Sequence, residues 1–514
     1  MGFFKRMFNN NKHSSKRTPN KSDNQSINTF SSLQENIQYI QEALFHTEDL
    51  QQRSVLFHGM SGVLLFIQPL CDQEKIREEI LKPLSLADEE KIEDMITAIQ
   101  TKTIMDMEKA VDLMIEGYAV LFFEGIEECY AVQVDAIYKR DVSEPNNEKI
   151  VRGSHQGFIE NTTVNLQLVR KLIKNRSLVV RRYQIGKETN TEVSIAYMQN
   201  LANPELIEEI DRRIKDINAD TMVSTDFVEE YIEDESFSPF PQMLHTERPD
   251  RVVGNLMEGR AAIFADGTPT VSIVPVTFFS FYQSTDDYNS RTIPGSFIRL
   301  IRLLSFIIAI NLPAYYIAVV SFHNQVIPAD LFFPVKGSVE DIPYPPILEA
   351  LFMELTIELL REAGIRLPGP VGQTIGIVGG LVIGDAVVKA GLVSNTMIIV
   401  VALTAIASFV VPSHDMSTSV RILRFPVMIF AALFGFVGIS LSITFIVIHL
   451  CKLESFGTPY LAPMAPLRLK DWFKDVIIRL PYWKINERPI DAQPQELQQE
   501  SYSREWHKDG KRKK

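Results

Sequence analysis

Three long runs in the C-terminal half of this chain contain no Asp, Glu, Lys or Arg: Leu303 to Phe322, Ala390 to Ser413 and Phe425 to Cys451. The first, 20 residues long, makes about 30 Å of helix, enough to cross the hydrocarbon core of a bilayer. Leu367 to Gly384 is shorter, about 27 Å at the same rise, and spans only with polar-edge residues added. Helices in the core of a water-soluble protein rarely run so far without charge, so these stretches read as membrane helices.

The rest of the chain is different in kind. With 514 residues, 46% hydrophobic and 23% charged, the chain is too long for one core and too apolar overall for disorder. Segregation of apolar from charged residues along the sequence resolves that mixture. Cys71, Cys129 and Cys451 lie far apart without metal-ligand spacing and read as reduced thiols. A net charge of −12, with no basic face interleaved by aromatics, argues against nucleic acid as a partner.

Residues 1–30 form a basic, Asn/Ser/Lys-rich tail with no apolar core of signal-peptide length behind it, so no secretory leader is expected. Two α/β subdomains are expected over 31–147 and 148–290, divided near Glu144-Pro145-Asn146-Asn147-Glu148. Amphipathic helical patterns cover Leu33 to Leu50, Asp88 to Gln100 and Pro204 to Asn218. Strand-like runs cover Val63 to Ile67, Tyr118 to Phe123, Cys129 to Val134, Leu178 to Tyr183 and Glu192 to Tyr197. Gly125-Ile126-Glu127 and Ala265-Asp266-Gly267-Thr268 read as hairpin turns, the Asp-Gly pair supplying positive φ. An all-α membrane domain over 291–452 follows, then an amphipathic segment over 453–490 and a disordered tail over 491–514. The predicted fold class is thus an α/β region of two subdomains followed by a polytopic helical membrane domain.

Arg291, Arg299 and Arg302 precede the first span, whereas the loop after it carries Asp330, Glu340 and Asp341 against Lys336. That bias places the N-terminal region in the cytoplasm. About four or five spans are expected, plus one ambiguous helix. Ile347 to Arg366 shows Leu348, Leu351, Phe352, Leu355 and Leu359 on one face and Glu354, Glu358 and Glu362 on another. Three placements fit it: at the interface, re-entrant, or spanning beside water. Four crossings with this helix outside the count is the favoured arrangement.

Several residues in this half carry functional readings beside plainer ones. The glutamate stripe is either a solvated face or a carboxylate lining which, repeated around an oligomer, favours cations in a pore. Gly372, Gly376, Gly380 and Gly384 draw a ridge that lets another backbone approach, within the chain or from a second subunit. Asp385, just past that ridge, is a functional candidate or a membrane-edge partner of Lys389. Asn311 and Pro313 sit in the middle of the first span, where proline frees a backbone carbonyl and bends the helix. Catalytic motifs are missing: the sequence contains no H-E-x-x-H, no G-x-x-x-x-G-K-[ST], no G-x-S-x-G and no G-x-G-x-x-G. His58, His155, His245 and His323 stand alone, so neither an enzyme, a metal site nor a cofactor is expected.

One set of ordered blocks carries more. Arg152-Gly153-Ser154-His155-Gln156-Gly157-Phe158-Ile159-Glu160-Asn161, with Asn165 and Arg170, is followed by Phe240-Pro241-Gln242 and Thr246-Glu247-Arg248-Pro249-Asp250. Glu258-Gly259-Arg260 precedes Asp266-Gly267-Thr268-Pro269, and Asp287-Tyr288 comes after. Arg361-Glu362-Ala363-Gly364-Ile365-Arg366-Leu367-Pro368 and Ser455-Phe456-Gly457-Thr458-Pro459-Tyr460-Leu461-Ala462-Pro463 complete the series. These blocks, over roughly 50–490, resemble the A subunit of the GerA-type spore germinant receptors of endospore-forming Firmicutes. His58-Gly59-Met60-Ser61-Gly62 departs from that pattern.

The resemblance implies a non-enzymatic subunit of a nutrient receptor in the spore inner membrane, with its N-terminal domain cytoplasmic. Partners so implied are a transporter-like B subunit, a lipoprotein C subunit, further copies of the chain and membrane lipid. It also implies an ion path formed by oligomerised A subunits. The alternatives from other classes are a secondary transporter of a small solute and a membrane-anchored scaffold.

Overall fold

The computed structural model describes residues 27–86, 100–136, 144–145, 147–340, 342–367, 380, 384 and 386–499. The basic tail up to residue 26, the helical pattern over 88–99, most of the stretch 367–384 with Gly372 and Gly376, Asp385, and the tail beyond 499 lie outside them.

The N-terminal half contains two antiparallel five-stranded sheets. The first begins with α1 (Leu33–Ala43), β1 (Leu50–Phe57) and β2 (Met60–Ile67). Helical turns over 73–86 follow, then β3 (Thr101–Ile104), α2 (Met107–Ile115), β4 (Tyr118–Phe123) and β5 (Cys129–Gln133). The second uses α3 (Thr162–Leu172), β6 (Leu178–Ile185), β7 (Thr191–Met198), α4 (Pro204–Lys215) and α5 (Thr225–Ile232). It closes with β8 (Leu244–Thr246), α6 (Pro249–Met257), β9 (Ala261–Ala265) and β10 (Val271–Val274).

The strand orders are β1-β2-β4-β5-β3 and β6-β7-β9-β10-β8. Counted within each sheet these are the same order, so the α/β half is built from one topology used twice. Each copy opens on a helix and a hairpin of eight-residue strands, and each places a short strand at the far edge beside the last strand. The central strands are apolar on both faces because helices cover both, as in β4, where all six residues are buried, whereas the edge strands β1 and β3 are polar and largely exposed.

Helix Leu33 to Leu50 is shorter than its sequence pattern. It ends at Ala43, and Phe45 and His46 then adopt positive φ before β1 begins. The β1–β2 hairpin turns at His58-Gly59 with both residues at positive φ.

Among the described residues, the C-terminal half has six helices of twelve residues or more with both ends described: α7 (Thr292–Ser321), α8 (Ala329–Glu340), α9 (Pro346–Arg366), α10 (Asn395–Phe409), α11 (His414–Phe434) and α12 (Phe436–Lys452). Among the described residues, α7 and α11 are long and apolar enough to cross a membrane by length and composition, and α10 and α12 are shorter apolar helices. The charge-free run Phe425 to Cys451 is not one helix. Gly435, at φ 62°, breaks it into α11 and α12, and Gly438 then lies against the Phe430 carbonyl, where a Cβ would overlap it.

Side-chain contacts fix the direction of α9. Near its start, Glu349 accepts from the Ser394 amide at 2.5 Å, and Ser394 in turn meets the Tyr316 hydroxyl at the far end of α7. Near its end, Arg361 reaches Ser408, whose carbonyl accepts from Ser417 in the first turn of α11. Between these contacts α9 rises about 18 Å, so it runs the depth of the bundle rather than along its edge.

The two halves share a core. Phe240, Phe278, Phe281 and Tyr282 of the second sheet's surroundings pack with Val411, Met416, Leu450 and Leu453 at the ends of α10, α11 and α12. The post-bundle chain returns to the same core through Tyr460, whose hydroxyl donates to the Pro241 carbonyl at 2.7 Å.

Candidate functional site in the helical bundle

The bundle's polar residues converge on Arg424. Pro313 has no N–H to give to the Ala309 carbonyl one turn before it. Arg424 fills that vacancy: its Nε donates to the Ala309 oxygen at 2.9 Å, and its Nη1 pairs with Glu354. Arg424 and Glu354 are 1% and 0% exposed, so one buried ion pair staples α7, α9 and α11 together. A buried charge is tolerable only with a partner and satisfied hydrogen bonds.

One turn further along α9, Glu358 pairs with Arg421 at 2.7 Å, half-buried. Arg361 stacks over Phe409 at 4.4 Å and donates to Ser408 at 3.2 Å. Glu362 pairs with Arg366 on the same helix at 2.5 Å, out in the open. The glutamate stripe is therefore a ladder graded from buried to exposed, and each carboxylate of it has an arginine partner within the chain.

Other sequence candidates fall differently. Asn311 is close to this group in sequence, but its amide donates to Ile307 on its own helix. Added Cβ atoms at Gly380 and Gly384 meet nothing within 4 Å among the described residues. Glu349, Arg421 and Arg424 were missed as site residues. The arginines gave a signal, since a charged residue within an apolar helix needs a carboxylate somewhere, but its partner lies 70 residues away.

The block residues of the α/β half make contacts within the chain. Asn161 caps α3 by accepting from Val164 N at 3.0 Å, while Asp266 accepts from Thr162 N at 3.1 Å and Gly267 N donates to the Glu160 carbonyl. Glu247 accepts from Asn147 at 2.6 Å. Arg248, buried, holds Asp250 at 2.6 Å and the Ser154 carbonyl at 2.9 Å, and Arg260 donates to Ser280 at 3.2 Å. The Arg152 carbonyl accepts from Asn289, which also closes over Gly153 at φ 134°. Gly157 is buried beside Phe158. Arg170 joins the two sheets: it pairs with Asp49 at 2.5 Å and 2.8 Å and reaches the Leu178 carbonyl, with both charges buried. Beside that junction a cleft of about 760 Å³ opens between β1, the 68–77 turns and the start of α3.

The root of α7 is anchored the same way. Asp287 accepts from Arg302 at 2.7 Å and from Arg299 at 3.3 Å, and Arg299 also pairs with Asp475 at 3.1 Å. Burial raises the Asp475 carboxyl above its usual range despite Arg299 and the Tyr288 hydroxyl beside it. At the head–bundle boundary His245 bonds Glu229 and lies 3.7 Å from Asp226. Burial alone would lower its pKa, but Glu229, with Asp415 of α11 and Asp226 nearby, pushes it up to about 9. Among the described residues no group of three or more His, Cys, Asp or Glu is arranged to hold a metal ion.

The fold is an α/β head that shares its core with a helical bundle stapled inside by arginine–carboxylate pairs, two of whose described helices are long and apolar enough to cross a membrane. The chain belongs to the Bacillus/Clostridium GerA spore germination protein family, whose model matches residues 38–490. It is 40% identical over 475 residues to the Bacillus subtilis protein titled uncharacterized membrane protein YfkQ, covering 91% of this chain and 92% of that one. Spore germination protein KA of the same organism is 39% identical over 469 residues, covering 89% and 86%. The crystal structure of the N-terminal domain of the A subunit of the Bacillus megaterium spore germinant receptor GerK3 aligns at 27% identity with a TM-score of 0.38. It covers 49% of this chain and 98% of that one.

Proposed function

We propose that this chain is the A subunit of a nutrient receptor of the spore inner membrane, non-enzymatic, with its α/β head on the cytoplasmic side. It works with a transporter-like B subunit and a lipoprotein C subunit, and several copies assemble around an ion path whose opening starts germination. The observation that carries the reading is the family match over residues 38–490; the ladder of ion pairs from α9 to α11, headed by the buried Arg424–Glu354 pair, supports its mechanism.

A gate needs an element with two arrangements, and a ligand biases it only through unequal affinity for the two. In the proposed mechanism the ladder is that element. With its arginines engaged the buried carboxylates are neutralised and the path is shut; shifting α9 along α11 frees Glu358 from Arg421, and Glu358 then lines a cation route together with Glu362, which already stands in the open beside Arg366 of its own helix. Among the described residues nothing lies within 4 Å of a Cβ at Gly380 or Gly384, which suits close approach of a second subunit, and the sequence repeats glycine at the same spacing at Gly372 and Gly376, with Asp385 next to Gly384. Asn311 and Pro313 act as the hinge of α7.

Glu358→Gln together with Glu362→Gln tests the path. These positions are half-buried or exposed, so protein level in spore membranes is expected to stay near wild type while nutrient-triggered cation release slows severalfold. Normal release at normal protein level would remove the carboxylate lining from the mechanism.

A further inference from the structure

The segment 234–240 wedges the head into the bundle. Ser238 Oγ meets His449 Nε2 at 2.8 Å, the Pro239 carbonyl accepts from Ser419, and the Phe240 ring stacks on His449 at 6.0 Å between centroids. His449 lies three residues before the end of α12, and Ser419 five residues after the start of α11. The wedge therefore grips both helices about one turn inside their head-side ends, about 4 to 8 Å along the axis.

Phe237 stands one residue before this grip and is 97% exposed, whereas Phe240, three residues on, is wholly buried. A lone exposed apolar side chain is ordinary on a protein surface; Phe237 differs in that the two residues after it bond α12 and α11 directly. The helix faces around the grip are apolar and exposed too: Ile422 on α11 and Phe445 and Ile448 on α12. Phe237 thus stands next to helix ends that carry exposed apolar side chains of their own. The neighbouring helix α5 adds Phe227 and Tyr231, exposed and one turn apart; its Glu229 bonds His245, which feels the charge of Asp415 in the first turn of α11.

We infer that Phe237 inserts into the interfacial layer of the lipid leaflet beside α11 and α12, so that part of the head's grip on the membrane is direct contact with lipid. Aromatic side chains favour that layer because an apolar ring is accommodated there beside polar headgroups. The nearby exposed acids Glu230 and Glu235 make the contact one with uncharged, zwitterionic lipid rather than with anionic headgroups. The inference rests on the membrane reading of the bundle, and the test separates the two.

The full chain is reconstituted in phosphatidylcholine/phosphatidylethanolamine bilayers in a Cys451→Ser background, Cys71 and Cys129 being buried. Single cysteines introduced as Phe237→Cys, Phe445→Cys and Val151→Cys carry a nitroxide, read by collision with oxygen, which concentrates in lipid, and with a water-soluble nickel chelate. Val151, 87% exposed on the head, is the aqueous reference, and Phe445 tests the bundle. The expected result is a severalfold higher oxygen-to-nickel ratio at 237 than at 151, lower than or equal to that at 445. A lipid-like 445 with a 237 that matches 151 overturns the inference and leaves the membrane reading standing. A 237 shielded from both probes means a protein contact and overturns it as well. A water-like 445 overturns both.

Discussion

Arg424 joins two features that the sequence presents separately: a proline in mid-helix and a glutamate on a neighbouring face. Replacing it with leucine leaves Glu354 buried without a partner, for which a loss of about 3–5 kcal/mol is expected. Glu354→Gln with Arg424→Gln should recover most of that loss. A double-mutant cycle on thermal unfolding in detergent measures the coupling, and additive losses would deny the pair. His245 makes a second prediction at this scale. Its pKa is about 6.5 in an unfolded chain and about 9 in the fold. Its contribution is therefore fully present below about pH 6.5 and disappears as pH rises through about 9. The melting temperature of wild type should fall relative to His245→Gln between those limits; parallel curves would contradict the assignment. Sequence periodicity displayed the glutamates, but the partners of Glu354 and Glu358 were hidden, because ion pairs 70 and 63 residues apart leave no local pattern.

Among the elements, the strands of the α/β half were the most legible. β4, for instance, has the bounds its unbroken apolar run implies. The helical half was legible in composition but not in its turns. A run of 27 charge-free residues fits one tilted span as well as two short helices, and only Gly435 at positive φ separates α11 from α12. Gly438 is what allows the return helix to lie close. Gly438→Ala drives a Cβ into the Phe430 carbonyl and is expected to cost about 1–3 kcal/mol through overpacking, whereas Gly364→Ala on α9, where a Cβ meets nothing within 4 Å among the described residues, should be neutral or stabilising. Equal melting temperatures for the two variants would contradict the packing described. The glutamate-striped helix was the ambiguous element, and contacts at its two ends, with Ser394 and Ser408, give it the depth of the bundle.

Over the whole molecule, one topology used twice forms the head, with the second copy fused to the bundle. The duplication was invisible in the sequence because a shared strand order leaves no requirement for shared residues: β2 reads MSGVLLFI and β7 reads TEVSIAYM. Subunit assembly belongs to this scale. Gly380→Leu adds bulk where nothing within the described chain receives it, so the isolated fold should persist while the native-gel complex is lost; an intact complex would locate the subunit contact elsewhere. The most direct test of the receptor reading is potassium release from spores of the host organism that lack this chain, challenged with a panel of amino acids, sugars and nucleosides. The expected result is selective loss of the response to one or a few nutrients, restored by the wild-type chain. Unchanged release with every nutrient in the panel would contradict it.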